Sequence, residues 1–255
     1  MLIDFFKMQA QGNDFVFLQS IPDIEPEILA KNICDRHFGI GADGLVYLID
    51  SEIADSKMII YNSDGTRAMM CGSALRCAAA HLFDKTATTD LQIETDSGLK
   101  SARLENDEIH VNMGTPRLIQ SGLKLMDFTG ELVDIGNLHY IIFEDKPLID
   151  PHLEYGHQLS TSKLLPNEAN VHFVSIQDKQ TISMKIWERG AGATLACGTG
   201  AASTVFAGIK LGKLDNEVKV FIPGGELKIA LNKDGSLDLI GTVSKVFEGS
   251  YIWKA

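Results

Sequence analysis

Two cysteines, Cys71 and Cys197, stand 126 residues apart in the same kind of frame, Met70-Cys71-Gly72-Ser73-Ala74 and Ala196-Cys197-Gly198-Thr199-Gly200-Ala201-Ala202. Each Cys-Gly pair leads into an Ala-rich stretch of helical composition, Ser73 to Phe83 and Thr199 to Leu211. The first N–H groups of a helix have no internal partner, and the helix dipole favours negative charge there. A thiol at that point is expected to fall from about 8.5 toward neutrality, which makes thiolate available. The same N–H groups can hold a carboxylate, and the small residues Gly72, Ser73, Gly198 and Thr199 let a ligand approach closely. Two such thiols facing one carbon suit a 1,1-proton transfer, racemisation or epimerisation. One thiolate removes an α-proton while the opposite thiol protonates the other face, and oriented amides in a water-poor site hold the developing negative charge.

Nine residues before each Cys stands a polar residue in a Gly-bearing turn, Asn62 in Asn62-Ser63-Asp64-Gly65 and Glu188 in Glu188-Arg189-Gly190. In a catalytic role Arg189 would bind a substrate carboxylate, and Glu188 would bind an ammonium or tune a thiol. In a plain role the two form a surface ion pair at a strand end. Asn13, Asn62, Asn137 and Asn170 serve equally well as turn formers beside glycine. His139 follows the Gly136-Asn137 turn, either as a structural residue or as base to a thiol.

The remaining cysteines, Cys34 and Cys77, read as small buried hydrophobes. Four scattered cysteines do not make a disulfide framework. Cys71 and Cys77 lie six apart, no His is spaced to complete a ligand set, and no metal site is expected.

The elements that must carry these residues occur twice. Gly12-Asn13 recurs as Gly136-Asn137 at an offset of 124, while Gly98 and Gly225, then Gly114-Thr115 and Gly241-Thr242, recur at 127. Landmarks in one order at nearly one offset indicate a duplication into two similar domains. Strands are expected at Phe15–Leu18, Lys57–Tyr61, Glu108–Met113, His139–Phe143, Thr181–Trp187, Val218–Ile222 and Gly225–Leu231, with a further helix at Glu25–Cys34. Many short strands around few helices predict an α+β class, with a boundary near Thr115-Pro116. The expected halves are 1–115 with Cys71 and 116–243 with Cys197.

The chain has 255 residues, 45% hydrophobic and 22% charged, enough for a sizeable core in one or two domains. A net charge of −11 argues against nucleic acid and anionic membrane surfaces, yet leaves room for a small anionic substrate held by one local site. The N-terminal residues do not read as a signal peptide, and no apolar run approaches bilayer length, so a cytoplasmic protein is expected.

The chain resembles the diaminopimelate epimerase family over nearly its whole length. The carriers are Gly12-Asn13-Asp14-Phe15, the run from Asp35-Arg36-His37 to Asp43-Gly44, Asn62-Ser63-Asp64-Gly65, Met70-Cys71-Gly72, Gly136-Asn137-Leu138-His139, Asn170-Val171, and Glu188-Arg189-Gly190-Ala191-Gly192 with Ala196-Cys197-Gly198-Thr199-Gly200. The resemblance implies a cofactor-independent enzyme of lysine and peptidoglycan precursor synthesis, with a small amino acid as substrate. It implies two pseudo-symmetric domains, each a mixed, largely antiparallel sheet curled round a central helix. The last strand, 244–255, is expected to return to the first half. Cys71 and Cys197 would be the acid/base pair, supported by His139 and Glu188. Gly72, Ser73, Gly198 and Thr199 would hold the reacting α-carboxylate, while Asn13, Gly44, Asn62, Asn137, Asn170 and Arg189 would position the substrate, with Glu188 at its amine. A homodimer is compatible with the family.

Two departures stand out. Ser73-Ala74 replaces the Asn-Gly that usually follows Cys-Gly in the first half, and Leu138 replaces a usual Pro. Neither removes a proton-transfer group. The alternative expectation is a PLP-independent racemase of a histidine- or proline-type amino acid on the same fold. A dithiol redox protein would use Cys71 and Cys197 as a reversible disulfide, but the usual Cys-x-x-Cys arrangement is missing here. A binding-only homologue would have lost a thiol.

Overall fold

The computed structural model describes residues 1–144 and 148–254. In chain order the strands and helices are β1 (Leu2–Ala10), β2 (Asn13–Leu18), α1 (Pro26–Ile33), β3 (Gly44–Ile49), β4 (Ser56–Asn62), β5 (Arg67–Ala68), α2 (Gly72–Thr86), β6 (Asp90–Thr95), β7 (Gly98–Glu105) and β8 (Glu108–Asn112). There follow β9 (Arg117–Leu125), β10 (Phe128–Asp134), β11 (Leu138–Phe143), α3 (Pro151–Ser160), β12 (Asn170–Asp178), β13 (Thr181–Glu188), β14 (Gly192–Ala193), α4 (Gly198–Lys210), β15 (Glu217–Ile222), β16 (Gly225–Leu231), β17 (Leu237–Gly241) and β18 (Ser244–Ile252). These fall into two compact units, Met1–Val111 with Gly241–Ala255, and Asn112–Ile240.

The first unit runs β18-β1-β2-β3-β4-β6-β7-β8, with the short β5 also on β4. Only β2–β3 and β4–β6 are parallel. The second unit repeats the plan as β9-β10-β11-β12-β13-β15-β16-β17, with β14 on β13 and only β11–β12 and β13–β15 parallel. Each parallel step needs a crossover, and each crossover carries a helix: α1, α2, α3 and α4. This repeat of pairings is the structural form of the sequence repeat, and it makes the fold a duplicated α+β.

The central helices are unlike the rest. Every residue of α2 from Gly72 to Ala79 is buried, as is α4 from Gly200 to Gly208. A helix buried on all sides favours small residues, which explains the Ala-rich stretches, although α2 also buries the long side chain of Arg76. Helix α2 packs on β1 and β2 and also on β7, while α4 packs on β10, β11 and β12 and also on β16. Each helix thus touches strands from both ends of its strand order, so each sheet curls round it. Helices α1 and α3 each begin with proline, which suits a first turn whose N–H lacks a partner anyway. They cover the other face of their sheets. There α1 closes a core of Leu29, Ile33, Leu45 and Tyr47, and α3 places Leu159 against Tyr140, Val171 and Phe173.

Expected and observed bounds agree within two residues for the seven strands, the largest difference being the start of β2 at Asn13 rather than Phe15. Helix α3 was not expected, because its Pro151-His152-Leu153-Glu154-Tyr155-Gly156 carries a glycine that weakens a helical pattern. That glycine has a packing cause: a Cβ at Gly156 would lie 2.6 Å from the Trp187 ring. Strand β18 pairs antiparallel with β1, from Leu2 opposite Ile252 to Gln9 opposite Ser244. Position 255 of the expected last strand lies outside the described residues. No helix among the described residues is long and apolar enough to cross a membrane.

Candidate active site

Both cysteines are helix N-cap residues with extended backbone, Cys71 at φ −142°, ψ 122° and Cys197 at φ −136°, ψ 99°. Each carbonyl accepts the first intrahelical bond, from Leu75 N–H and Ala201 N–H, both at 2.9 Å. The N–H groups of Gly72-Ser73 and Gly198-Thr199 sit in first turns, where no intrahelical partner exists. In both units the Cys follows a short strand, β5 or β14, that pairs back on the strand carrying Asn62 or Glu188.

In the first unit Cys71 is partly exposed, and the Asn13 side-chain amide donates to its Sγ at 3.8 Å. Asn13 opens β2, and Gly44 opens β3, one strand over. A Cβ at Gly44 would lie 2.9 Å from the Tyr61 carbonyl oxygen, so glycine there is required by close strand packing. Asn62 is exposed; its Nδ2 donates to Thr66 Oγ1 at 2.9 Å within its own turn. Ser73 is buried, one position into α2. Cys34 and Cys77 are buried, and burial pushes both thiols up to about 12.

The charged residue of this frame that the sequence did not single out is Arg76. Its side chain is wholly buried, with Nη2 donating to Gln11 Oε1 at 2.7 Å and with Nε and Nη1 lacking hydrogen-bond acceptors. Burial lowers it to about 10, while the Cys77 and Cys71 sulfurs oppose that fall. It therefore remains a cation at neutral pH.

In the second unit Cys197 is buried, 3.6 Å from Thr199 Oγ1. Thr194 Oγ1 donates to Glu188 Oε1 at 2.6 Å, which fixes the carboxylate in the turn between β13 and β14. Burial raises the Cys197 thiol well above its ordinary value, and the Glu188 charge adds to the rise. The Thr199 hydroxyl and the Gly200 N–H oppose it. The expectation that a helix start lowers the thiol is corrected here: burial and a neighbouring carboxylate outweigh the helix end, so Cys197 rests as the protonated thiol.

His139 is fully buried, with Nε2 3.0 Å from Asn137 Oδ1 and Nδ1 2.8 Å from Nε2 of His172. Both ring nitrogens are thus engaged. The parallel register sets His139 opposite Asn170 and Ile141 opposite His172, and residues two apart on a strand share a face. His172 is absent from the sequence expectations; its only sequence signal is its place two residues after Asn170, between the apolar Val171 and Phe173 of β12. With Cys197 the two histidines offer three ligand-type atoms within 4.8 Å of one another. The 2.8 Å ring separation is that of a hydrogen bond, whereas two nitrogens on one tetrahedral zinc lie about 3.3 Å apart at usual Zn–N lengths. The pair is a hydrogen-bonded one as it stands.

Asn170 is buried and engaged at both ends of its amide, donating to the Leu138 carbonyl at 3.4 Å and accepting from the Arg189 N–H at 2.9 Å. It anchors the Glu188-Arg189 turn to β11. Arg189 has an exposed side chain, and its charge bears on His139. Asn137 donates to Thr199 Oγ1 at 3.5 Å.

Solved structures share the fold of this chain. The chain covers 99% of itself and 100% of a Bacillus anthracis phenazine biosynthesis protein of the PhzF family, at TM-score 0.76 and 16% identity. A hydroxyproline epimerase from Agrobacterium vitis matches 98% of this chain and 92% of its own at TM-score 0.74 and 13% identity. At such identities the likeness is one of fold. Sequence narrows the class. The family model of diaminopimelate epimerase matches residues 5–119 and 132–246, once in each half. A diaminopimelate epimerase of Carboxydothermus hydrogenoformans is 42% identical, over 98% of this chain and 99% of its own. Another, of Clostridium perfringens, is 36% identical over 98% and 99%. The chain belongs to the diaminopimelate epimerase family.

Proposed function

We propose that the chain interconverts LL- and meso-diaminopimelate in lysine biosynthesis by proton transfer at the α-carbon between Cys71 and Cys197. The observation that carries this is an N-cap cysteine at equivalent positions of two repeated units, each ahead of a helix whose first amides are uncommitted within the helix. The near-full-length match to diaminopimelate epimerases favours this over a racemase of a histidine- or proline-type amino acid. Such a step on a water-soluble amino acid fits work in the cytoplasm.

In this mechanism one sulfur, as thiolate, takes the α-proton as the other, as thiol, delivers its own to the opposite face; protons balance, and the reverse reaction exchanges the roles. Cys197 rests as thiol, so it is ready to donate, and Glu188 is the group placed to take its proton when it must act as base. The amides at Gly72-Ser73 and Gly198-Thr199 hold the α-carboxylate. Each donor aimed at charge that develops in the transition state is worth about 3 kcal/mol. Asn13, Gly44, Asn62, Asn137 and Arg189 shape and position the substrate, and Asn170 acts through the turn it anchors.

The test is a panel of single stereoisomers of diaminopimelate, histidine, proline and glutamate, incubated without PLP and resolved by chiral chromatography. Interconversion of the diaminopimelate isomers alone is expected. Turnover confined to another amino acid would overturn the assignment.

A further inference from the structure

We propose that His172 heads a directed hydrogen-bond chain, through His139, Asn137 and Thr199, that aims a hydroxyl proton at the Cys197 sulfur. The heavy atoms are contiguous: His172 Nε2 to His139 Nδ1 at 2.8 Å, His139 Nε2 to Asn137 Oδ1 at 3.0 Å, Asn137 Nδ2 to Thr199 Oγ1 at 3.5 Å, and Thr199 Oγ1 to Cys197 Sγ at 3.6 Å.

Direction follows from proton counting. Burial keeps both rings neutral, so each carries one N–H. The Asn137 carbonyl oxygen needs a donor, which puts the His139 proton on Nε2 and leaves Nδ1 bare. His172 must then donate from Nε2, leaving its own Nδ1 bare, and that nitrogen is buried without a partner. At the other end the Asn137 amide donates to Thr199, whose single hydroxyl proton is left for the sulfur. The opposite direction turns the Asn137 amide over and places a proton on His172 Nδ1, a buried donor with no acceptor. Orphaned buried N–H groups are the rarer and costlier kind.

Packing supports a placed ring rather than a tolerated one. A Cβ at Gly200 would lie 2.4 Å from His172 Cε1 and 3.1 Å from Cys197 Sγ, so the helix keeps glycine where ring and sulfur converge. The other groups facing the sulfur are the Glu188 carboxylate from the β13 end and the Gly200 N–H of α4; Arg189 acts on His139. No acidic residue lies in the first turn of α4. His172 is accordingly a positioning residue: it holds His139 in one tautomer, and the chain converts that into a proton donor for the thiolate.

Two measurements on the full chain test this. Long-range ¹H–¹⁵N NMR of the unmutated protein should show both His139 and His172 as Nε2–H tautomers. A Nδ1–H tautomer at either ring would overturn the chain. Alkylation by iodoacetamide, read peptide by peptide across pH, should run about tenfold slower at Cys197 in His172→Leu, one unit of thiol titration. Cys71 should be unchanged as internal control, and kcat should fall with KM held. His172→Gln, whose amide can still donate to His139 Nδ1, should recover most of the rate. An unchanged Cys197 profile in folded His172→Leu, or no difference between the Leu and Gln variants, would contradict it. The effect on kcat rests on the two-thiol mechanism, whereas tautomer and alkylation do not, so failure of one is distinguishable from failure of the other.

Discussion

The two cysteine frames share a backbone and differ in nearly everything around it. Both thiols cap a central helix from an extended residue, but Cys71 is half-open beside the Asn13 amide, and Cys197 is buried beside a carboxylate. Strand register makes the differences residue by residue. Phe15 pairs with Gly44 in the first unit as His139 pairs with Asn170 in the second. Two positions on, Val46 therefore stands where His172 does. An apolar pair in one unit is a polar, hydrogen-bonded pair in the other. The charges are reversed as well: the buried cation Arg76 lies in α2, while Glu188 replaces the neutral Asn62. A duplicated scaffold thus supplies the same helix end twice, and the neighbours decide what each thiol does at rest.

The comparison breaks most sharply at the sulfurs themselves. Cys71→Ser and Cys197→Ser are each expected to lower kcat by about a thousandfold or more, the scale of lost acid/base groups, with ligand binding retained by calorimetry. Near-normal turnover in either would remove the two-thiol mechanism. Glu188→Gln comes next. It should cost about 10- to 100-fold in kcat, while the Cys197 thiol titrates lower because a negative neighbour is gone. The reciprocal Asn62→Asp should leave Cys197 alkylation unaffected.

Packing gives a smaller effect. Gly200→Ala would drive a methyl into the His172 ring and should destabilise by about 2 kcal/mol in denaturant unfolding. His172→Val combined with Gly200→Ala copies the Val46 and Ala74 of the first unit and should recover much of that loss. A double variant as unstable as the sum would show that the two positions do not couple.

An effect of similar size is expected in acid. Burial lowers both second-unit histidines, His172 to about 3. Below the ordinary value of about 6.5 the unfolded chain then binds more protons than the native one. This share of stability is full above that pH and is lost as pH falls toward 3, at up to about 1.4 kcal/mol per pH unit per group. Between pH 7 and 5 the Tm of His172→Leu should therefore fall less than that of the unmutated protein. An equal fall would mean that His172 does not titrate this way.

Much of this was legible in sequence because it is local or repeated. Small residues after Cys-Gly announced the helix starts, and offsets of 124 to 127 announced the duplication. What could not be read depends on register between strands far apart in the chain. His139 and His172 meet only because β11 and β12 run parallel across the α3 crossover. Arg76 is one residue in an Ala-rich helical stretch of the sequence, and only the fold shows that its side chain is wholly buried. The resting state of Cys197 is not legible in sequence for a related reason: a helix end is visible in a pattern of residues, but the burial that overrides it is a tertiary fact.

The most direct test of two-thiol catalysis is the placement of deuterium in early turnover. A single diaminopimelate stereoisomer is incubated in D₂O, and product and recovered substrate are analysed separately by mass spectrometry before equilibrium. A thiol carries one proton, so return to the same face restores the original hydrogen, and crossing to the other face takes one from the second, solvent-equilibrated sulfur. The product should carry α-deuterium from the first turnovers while recovered substrate retains protium. Protium transferred into the product, with deuterium appearing equally in both, would indicate a single base and contradict the assignment of Cys71 and Cys197 to opposite faces.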